Sequence, residues 1–119
     1  MGEILSTLKT TMSQNVGVIR NENGLKEQLK ILADLNQRYL DIKISDRTHF
    51  YNQQIKQYVE LKNMLLISEA ICRAALCRPE SRGAHYRDDF PSEGSFFEMA
   101  TLTYKHESGR MACELIRIS

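Results

Sequence analysis

Residues 60–91, ELKNMLLISEAICRAALCRPESRGAHYRDDFP, decide how this chain folds. The first half of the stretch predicts a helix whose apolar side chains point in nearly every direction, leaving Ser68, Glu69 and Arg73 as a thin polar line. A helix that is apolar all round is buried on more than one side. The second half changes abruptly to arginine, histidine and aspartate, punctuated by glycine and proline. We therefore expect the rest of the chain to pack around this helix, and the charged half to contact another surface.

The predicted helix begins between His49 and Asn52 and ends near Arg78, because Pro79 lacks an amide hydrogen and disfavours helix at the residue before it. Gly83 then allows a sharp exit. Three residues ahead of the helix can act as its N-cap, and three apolar side chains in its more polar first half are expected to face inward. The candidate caps are Ser45, Asp46 and Thr48, and the inward-facing residues are Ile55, Tyr58 and Val59.

Two shorter helices precede the long one, since apolar residues recur at every third or fourth position. The first ends at Gly17, and either Asn21 or Asn23 can cap the second. The two apolar stripes are Ile4, Leu5, Leu8, Met12 and Val16, then Leu25, Leu29, Leu32, Leu35 and Tyr39, with Lys26, Lys30, Asp34 and Arg38 on the opposite face of the second helix. Two short helices cannot cover the third completely, so we expect it to self-associate or to be covered by another domain.

After the turn or loop at residues 91–95, the spacing of apolar residues changes from the pattern of a helix to the alternation of a strand. Residues 99–104 and 111–116 alternate along two short runs, and residues 107–110, which contain Gly109, form a turn signal between them. An isolated hairpin is marginal in water, so it should lie on the helices or on a partner. The residues thus predict a mainly α fold, with three helices in residues 1–79 and the charged segment and a β-hairpin tail in residues 80–119.

Composition argues against several classes of protein. With 16 basic and 15 acidic residues the net charge is +1, so the basic excess of a nucleic-acid-binding protein is missing. No apolar run approaches the roughly 20 residues of a membrane span, and no secretory signal is visible. The cysteines, Cys72, Cys77 and Cys113, contain no CxxC motif. We expect free thiols in a reducing, cytoplasmic compartment, with a structural zinc site as the alternative.

Arg82, His85 and Arg87 form the densest group of residues that could do chemistry. Two guanidinium groups can hold carboxylates in bidentate fashion, and an imidazole between them can move a proton. In the structural alternative, the arginines pair with Asp88, Asp89 or a neighbouring domain, and His85 bonds carbonyls at the helix end. We favour that alternative, because a catalytic site needs a cavity and residues from more than one segment.

Residues 60–65, ELKNML, and residues 80–91, ESRGAHYRDDFP, resemble the C-terminal domain of the succinate dehydrogenase and fumarate reductase flavoproteins. The second string is specific, and L-aspartate oxidases and adenylylsulfate reductase flavoproteins resemble it more weakly. Further positions that fit the pattern are Glu69, Ala70, Met12, Gly17, Arg20 and residues 25–27 and 74–76. The resemblance covers residues 4–91 and, more loosely, the tail. Pro79 departs from it, since the family more often has a polar or charged residue there.

The resemblance implies a three-helix bundle of spectrin-repeat-like, up-down-up topology and a tail that packs on the FAD-binding domain of a larger flavoprotein. That parent would transfer two electrons between succinate or fumarate and FAD, and onward to an iron–sulfur subunit at the inner face of a membrane. The chain has no GxGxxG motif for a flavin, and no catalytic, cofactor-binding or metal-binding residue of the family carries over to it. Because a helix follows Met1-Gly2 directly, we expect a piece of a longer protein rather than a natural small subunit.

The resemblance also gives the charged string a role in docking on the FAD domain or on the iron–sulfur subunit. Two polar residues of the third helix are secondary candidates, because polar groups in a mostly apolar helix need partners. The six residues are Arg82, His85, Arg87 and Asp89, then Glu60 and Asn63. Two other hypotheses remain open at this point. The charged string could bind a dicarboxylate directly, or the chain could be a free-standing helical module that binds a partner helix or a second copy of itself.

Overall fold

The computed structural model describes residues 2–42, 52–94 and 99–117, and these ranges contain three helices and one two-stranded antiparallel sheet. In chain order the elements are α1 (Gly2–Asn15), α2 (Glu22–Leu40), α3 (Asn52–Cys77), β1 (Met99–Lys105) and β2 (Met111–Arg117). The mainly α fold with a C-terminal hairpin is confirmed. The helix was predicted to begin between His49 and Asn52. Residues 49–51 of that range and the candidate caps Ser45, Asp46 and Thr48 lie outside the described residues.

Successive helices run antiparallel. The end of α1 meets the start of α2, where Asn15 Nδ2 donates a hydrogen bond to Gln28 Oε1 at 3.0 Å. The end of α2 meets the start of α3, where the rings of Tyr39 and Tyr58 stack with their centroids 4.5 Å apart. The Tyr39 hydroxyl also donates to the Tyr58 carbonyl at 3.0 Å. The order is therefore up-down-up, as the family resemblance implied.

The connector between α1 and α2 is built by a glycine and an asparagine. A Cβ atom on Gly17 would stand 2.6 Å from the carbonyl oxygen of Ser13, so only glycine fits where the chain leaves α1. Asn21 is the N-cap of α2, because its Oδ1 accepts the amide hydrogen of Gly24 at 2.8 Å. Of the two candidate caps, the structure therefore selects Asn21 over Asn23.

A single apolar core runs between the three helices. It contains most of the two predicted stripes and the inner face of α3: Ile4, Leu8, Val16, Leu25, Leu32, Leu35, Tyr39, Leu61, Leu65, Cys72 and Ala75. Gln28 is buried among these residues, where its Nε2 donates to Thr11 Oγ1 at 3.0 Å. The buried amide thus has partners on α1 at both of its ends.

The predicted inner face of the first half of α3 is wrong at two of three positions. Ile55 and Val59 are 47% and 51% exposed, and only Tyr58 is half-buried, against Tyr39. The physical reason is the helical register. The buried face of α3 follows Leu61 and Leu65, and at about 100° per residue it continues back to Tyr58 and leaves Ile55 and Val59 on the other side.

The opposite face of α3 is apolar and uncovered. Leu66 and Ile67 are 57% and 58% exposed, and Ile71 is exposed as well. Glu60 and Asn63 lie on the same helical stripe as Ile67 and Ile71, because successive members are three or four residues apart. The expectation that α1 and α2 leave part of α3 uncovered is therefore confirmed.

The β-hairpin packs on α3, and its two faces differ. Thr103 pairs with Cys113 on the half-buried face, whereas Leu102, Tyr104 and Ile116 point outward and are exposed. Arg78, directly after α3, holds β1 by donating from Nη2 to the Met99 carbonyl at 2.6 Å and from Nε to Thr101 Oγ1 at 3.2 Å. Gly109 has φ +86° in the turn, a backbone region that favours glycine. Among the helices that the structure describes, none has the length and apolarity needed to cross a bilayer.

Candidate functional site

Residues 78–94, which we call the arginine segment, fold into a compact loop at the end of the bundle where α3 ends and α2 begins. The amide of Arg82 donates to the His85 carbonyl at 2.8 Å, and the amide of His85 donates back at 3.0 Å. Gly83 has φ +59° at the first central position of this turn, where a type II′ turn requires it. The Ser81 hydroxyl closes the loop, since it accepts from the Arg87 amide at 2.9 Å and donates to the Phe90 carbonyl at 2.7 Å.

The carboxylate of Glu80 is fully buried and is surrounded by donors. Arg78 forms an ion pair with Oε2, while Arg82 Nη2 donates to Oε1 at 3.1 Å and the Gly94 amide donates to the same oxygen at 2.9 Å. Burial alone would raise the pKa of the Glu80 carboxyl. The hydrogen bonds from Arg82, Gly94 and Arg78 outweigh burial and lower the pKa below its ordinary value.

Arg87 is the most deeply buried cation of the segment, with 2% of its surface exposed. Its Nη1 donates to the carbonyls of Ala75 and Leu76 at 3.2 Å each, which satisfies acceptors at the C-terminal end of α3. Its Nε and Nη2 hold the two carboxylate oxygens of Asp89 at 3.0 and 2.7 Å in a bidentate pair. The guanidinium also lies over the Phe90 ring, 4.8 Å from the centroid.

Asp89 connects this pair to the start of α2. Its Oδ2 accepts the amide hydrogen of Glu22 at 3.0 Å, so a carboxylate lies at the positive end of the helix dipole. The hydrogen bonds from Arg87 are the main reason that the pKa of the Asp89 carboxyl is lowered. Alongside, the amide of Arg20 donates to the Tyr86 carbonyl at 2.9 Å, and the amide of Asp88 donates to the Arg20 carbonyl at 2.8 Å.

His85 is held as a neutral ring. Arg20 Nη1 lies 3.3 Å from Nδ1 and can only donate, so Nδ1 is the acceptor and Nε2 carries the proton. Nε2 then donates to the Arg78 carbonyl at 3.1 Å. Burial, followed by the charges of Arg20, Arg87 and Arg78, lowers the pKa of His85. The ring therefore joins the α1–α2 connector to the end of α3.

The structure brings four of the six predicted site residues together and leaves two apart. Arg82, His85, Arg87 and Asp89 all lie in the arginine segment. The Arg87–Asp89 pair and the bond from His85 to a carbonyl at the end of α3 match the structural alternative, whereas Arg82 pairs with Glu80 rather than with Asp88 or Asp89. Glu60 and Asn63 are exposed on α3, and Glu60 faces Lys56 at 3.9 Å. At about 1.5 Å per residue, they lie roughly 20–25 Å along the helix from its end. A docking role for the six residues remains a prediction.

Sequence reasoning missed three residues that build this site. Arg20, Arg78 and Glu80 were not selected as site residues, although each contacts one that was. The alternation of charge at Arg78, Glu80 and Arg82 was a local signal, because side chains two apart in an extended segment point the same way. Arg20 carried no such signal, since 65 residues separate it from His85.

The outer surface of the arginine segment carries exposed aromatic side chains beside exposed acidic ones such as Asp88 and Glu93. Tyr86 and Phe90 are exposed, as are Val18 and Ile19 on the neighbouring connector. In the part of the chain that the structure describes, no three His, Cys, Asp or Glu side chains are arranged to hold a metal ion. The segment is thus a charged loop whose arginines pair with its own carboxylates, and two aromatic side chains are exposed on its surface.

Comparison with known proteins places this geometry in context. The family profile described as Fumarate reductase flavoprotein C-term matches residues 5–118. An uncharacterized FAD-dependent oxidoreductase of Methanocaldococcus jannaschii is 38% identical over 88 residues, which are 74% of this chain and 15% of that protein. The mitochondrial succinate dehydrogenase flavoprotein subunit of Oryza sativa subsp. japonica is 32% identical over 117 residues, which are 98% of this chain and 18% of that protein.

A solved structure shares the fold over nearly the whole chain. It is a mutant of E. coli quinol fumarate reductase FrdA, which matches with a TM-score of 0.86 and 24% sequence identity over 98% of this chain and 20% of that one. The chain therefore spans about a fifth or less of the length of the proteins it matches. Since the profile match includes all three helices, the arginine segment and the hairpin, the chain belongs to the family of fumarate reductase flavoprotein C-terminal domains.

Proposed function

We propose that this chain is the C-terminal helical domain of a succinate dehydrogenase or fumarate reductase type flavoprotein. The domain packs on the FAD-binding domain and supports assembly with an iron–sulfur subunit, and it is not itself catalytic. FAD and the two-electron chemistry of succinate and fumarate belong to the rest of the parent. One observation carries the proposal: the family match spans residues 5–118 of a chain that covers only 15–18% of its curated relatives.

The exposed surface supports a partner. A compact monomer of 13.7 kDa exposes about 6,600 Å², whereas this chain exposes 8130 Å². The excess is about 1,500 Å², more than the roughly 800 Å² that one protein contributes to a standard interface. Three uncovered apolar areas face outward, on α3, on the hairpin and on the arginine segment. They are Leu66, Ile67 and Ile71, then Leu102, Tyr104 and Ile116, then Ile19, Tyr86 and Phe90.

The internal pairing of the arginines supports a structural role over direct substrate binding. Arg82 is bound to the buried Glu80, and Arg87 is bound to Asp89 and to helix carbonyls. A dicarboxylate would have to displace these carboxylates, which are already held in charge-assisted bonds. The charged string therefore shapes and stiffens the docking surface, while Tyr86 and Phe90 beside it offer the apolar contact area.

Purification of the native protein with an antibody against this chain tests the proposal. We expect a polypeptide several times larger than 13.7 kDa, with bound flavin that succinate reduces and fumarate reoxidises. A flavin-free polypeptide of 13.7 kDa would overturn the proposal and favour the free-standing helical module. Flavin reduced by L-aspartate, or reoxidised by adenylylsulfate in place of fumarate, would favour the L-aspartate oxidase or adenylylsulfate reductase alternative. Recovery with membranes through partner subunits would support location at the cytoplasmic face.

The docking role is tested in that same flavoprotein with an Arg82→Gln substitution. Arg82 keeps about a third of its side chain exposed beside Glu93 and Glu80, so the substitution alters both the surface and its support. We expect lower flavin content and less iron–sulfur subunit in the purified complex. Arg38→Gln is the matched control, because Arg38 lies on the outer face of α2 and pairs with the exposed Asp34. Equal flavin and subunit content in both variants would contradict the docking role.

A further inference from the structure

Two of the three cysteines meet between the helices and the hairpin. Cys77 is the last residue of α3 and Cys113 lies in β2, and both are half-buried. They line the same cavity of about 290 Å³, together with Leu29, Leu76 and Met111. Cys113 also contributes to the raised pKa of the Cys77 thiol, as expected for neighbouring sulfur atoms, and Thr103 Oγ1 lies 3.7 Å from the Cys113 sulfur.

The third cysteine does not take part. Cys72 is completely buried in the core between the helices and is absent from that cavity. Its position on α3 is five residues before Cys77, which at about 100° per residue places the two side chains on different faces of the helix. The chain therefore offers one thiol pair and one isolated thiol.

We propose that Cys77 and Cys113 form a reversible disulfide that fastens the β-hairpin to the end of α3. The oxidant is a low-molecular-weight disulfide such as oxidised glutathione. One protein thiolate attacks a glutathione sulfur, forms a mixed disulfide and releases one glutathione thiolate. The second protein thiolate then attacks the protein sulfur of the mixed disulfide and releases the other. Two protein thiols are oxidised to one disulfide, and one glutathione disulfide is reduced to two thiols, which take up the two protons that the protein thiols release.

The bond would close the chain from residue 77 to residue 113, a loop that contains the whole arginine segment and β1. In the reduced protein the hairpin is held to this end of α3 by hydrogen bonds from Arg78 and by its half-buried face. A cross-link over a loop of this length restricts the unfolded chain and stabilises the folded one. The disulfide would therefore fix the hairpin and the arginine segment against the bundle.

The exchange should be slow at neutral pH. Burial, followed by the neighbouring Cys113 thiol, raises the pKa of the Cys77 thiol to about 11. Since the thiolate is the attacking species, disulfide formation should accelerate as the pH rises from 7 to 9. The pair should therefore form a structural disulfide slowly, on long exposure to oxidant, and should not act as a rapid redox sensor.

The test uses the full chain carrying Cys72→Ser, which leaves only the two proposed partners. After incubation with oxidised glutathione at about pH 8.5, the ordinary pKa of a free cysteine, we expect both free thiols to disappear without added glutathione mass. Peptide mapping should show one link, between the peptides that contain Cys77 and Cys113. The melting temperature should rise by roughly 5–15 °C, and a reducing agent should return it to its starting value.

Single substitutions provide the controls. Cys77→Ser and Cys113→Ser in the same background should each take up one glutathione, keep the mass of a mixed disulfide and show no rise in melting temperature. Cys77→Ala repeats the first control without a new hydroxyl, in case serine disturbs the cavity. Two stable glutathione adducts, links between separate chains, or an internal link with no rise in melting temperature would each overturn the proposal.

Discussion

Arg87 shows how one side chain can join two helix ends. Its guanidinium donates to the last carbonyls of α3 and to Asp89, and Asp89 accepts the first amide of α2. A cation at the negative end of one helix and an anion at the positive end of the next both match the helix dipoles. This continuous chain of charge-assisted bonds explains why so polar a group is almost completely buried in a small bundle.

Replacing Arg87 with methionine should strongly destabilise the chain. The substitution keeps much of the side-chain volume but leaves Asp89 and the carbonyls of α3 without their donor. We expect a loss of about 2–4 kcal/mol in the free energy of unfolding, measured by urea denaturation. Arg38→Met is the control, since its pair with Asp34 is exposed and worth less than about 1 kcal/mol. Similar losses of unfolding free energy in both variants would show that the buried pair stabilises the chain no more than the exposed pair.

His85 should make the free energy of unfolding depend on pH, at pH values higher than those at which carboxylates titrate. Folding lowers the pKa of His85 from its ordinary value of 6.5, so the folded chain resists a proton that the unfolded chain binds. The free energy of unfolding should therefore fall as the pH drops below about 6.5, until the folded pKa is passed. The lowered pKa values of Glu80 and Asp89 act separately, with their stabilisation lost only below about pH 4.5.

Denaturation of a His85→Gln variant at pH 7 and pH 5 isolates this contribution (both values bracket the histidine range). Glutamine does not titrate and can still donate towards the Arg78 carbonyl, so the variant should lose most of the change in stability between the two values. His106→Gln is the control, because His106 lies exposed in the hairpin turn and should leave that change intact. A pH response that survives in His85→Gln would assign it to another group.

Among the elements, α2 shows most directly how a local sequence signal sets a boundary. Asn21 and Asn23 were equal candidates for its cap, and the structure gives the cap to Asn21. Asn21→Ala should therefore destabilise the chain by about 1 kcal/mol in thermal or urea unfolding. Asn23→Ala should change stability by less than about 0.5 kcal/mol, because Asn23 is already inside the first turn and exposed. The reverse order of effects would mean that the cap is misassigned.

How much could be predicted from sequence depended on whether the apolar residues of an element lie on one face or on several. The stripe of Leu25, Leu32 and Leu35 is amphipathic, so it fixed the inner face of α2. The apolar residues of α3 point in every direction, so several registers were equally good and Ile55 and Val59 were assigned to the wrong side. The hairpin was visible because apolar and polar residues alternate on both sides of a turn that contains glycine. In the structure Gly109 lies in that turn with φ +86°.

The charged site was predictable only where its partners are close in sequence. Arg87 and Asp89 are two residues apart, and pairing of such neighbours was foreseen as the structural alternative. The bonds from His85 to Arg20 and from Asp89 to Glu22 join segments more than 60 residues apart, and no local pattern predicts them. The division into a bundle over residues 1–79 and a tail over residues 80–119 remains a prediction.

At the scale of the whole molecule, an extended shape goes together with uncovered apolar surface. The radius of gyration is 16.5 Å, against about 13.5 Å for a compact domain of this length. The extents of 53 × 30 × 22 Å describe a flattened rod, which has more surface per unit mass than a sphere. Along this rod the apolar faces of α3 and of the hairpin lie side by side, with Leu66 and Tyr104 in one shared groove.

The uncovered face of α3 should make the purified chain associate with itself when its natural partner is absent. Ile67 and Ile71 form one exposed stripe, and burying such apolar area is favourable by about 25 cal/mol per Å². Sedimentation velocity should show an average mass that rises reversibly with concentration. Ile67→Lys combined with Ile71→Lys should hold the chain as a monomer, because association would then bury two ammonium groups.

The control for this experiment is a lysine pair on the outer face of α2, Ala33→Lys with Gln37→Lys, where both positions are exposed and already lie among charged side chains. It adds the same net charge without touching the face of α3, so it separates a local effect from general repulsion between more basic chains. We expect this variant to associate like the parent chain. A parent chain that stays monomeric at its highest soluble concentration would show that the exposed stripe is too small to drive association alone, and equal loss of association in both variants would show that net charge, not the α3 face, controls it.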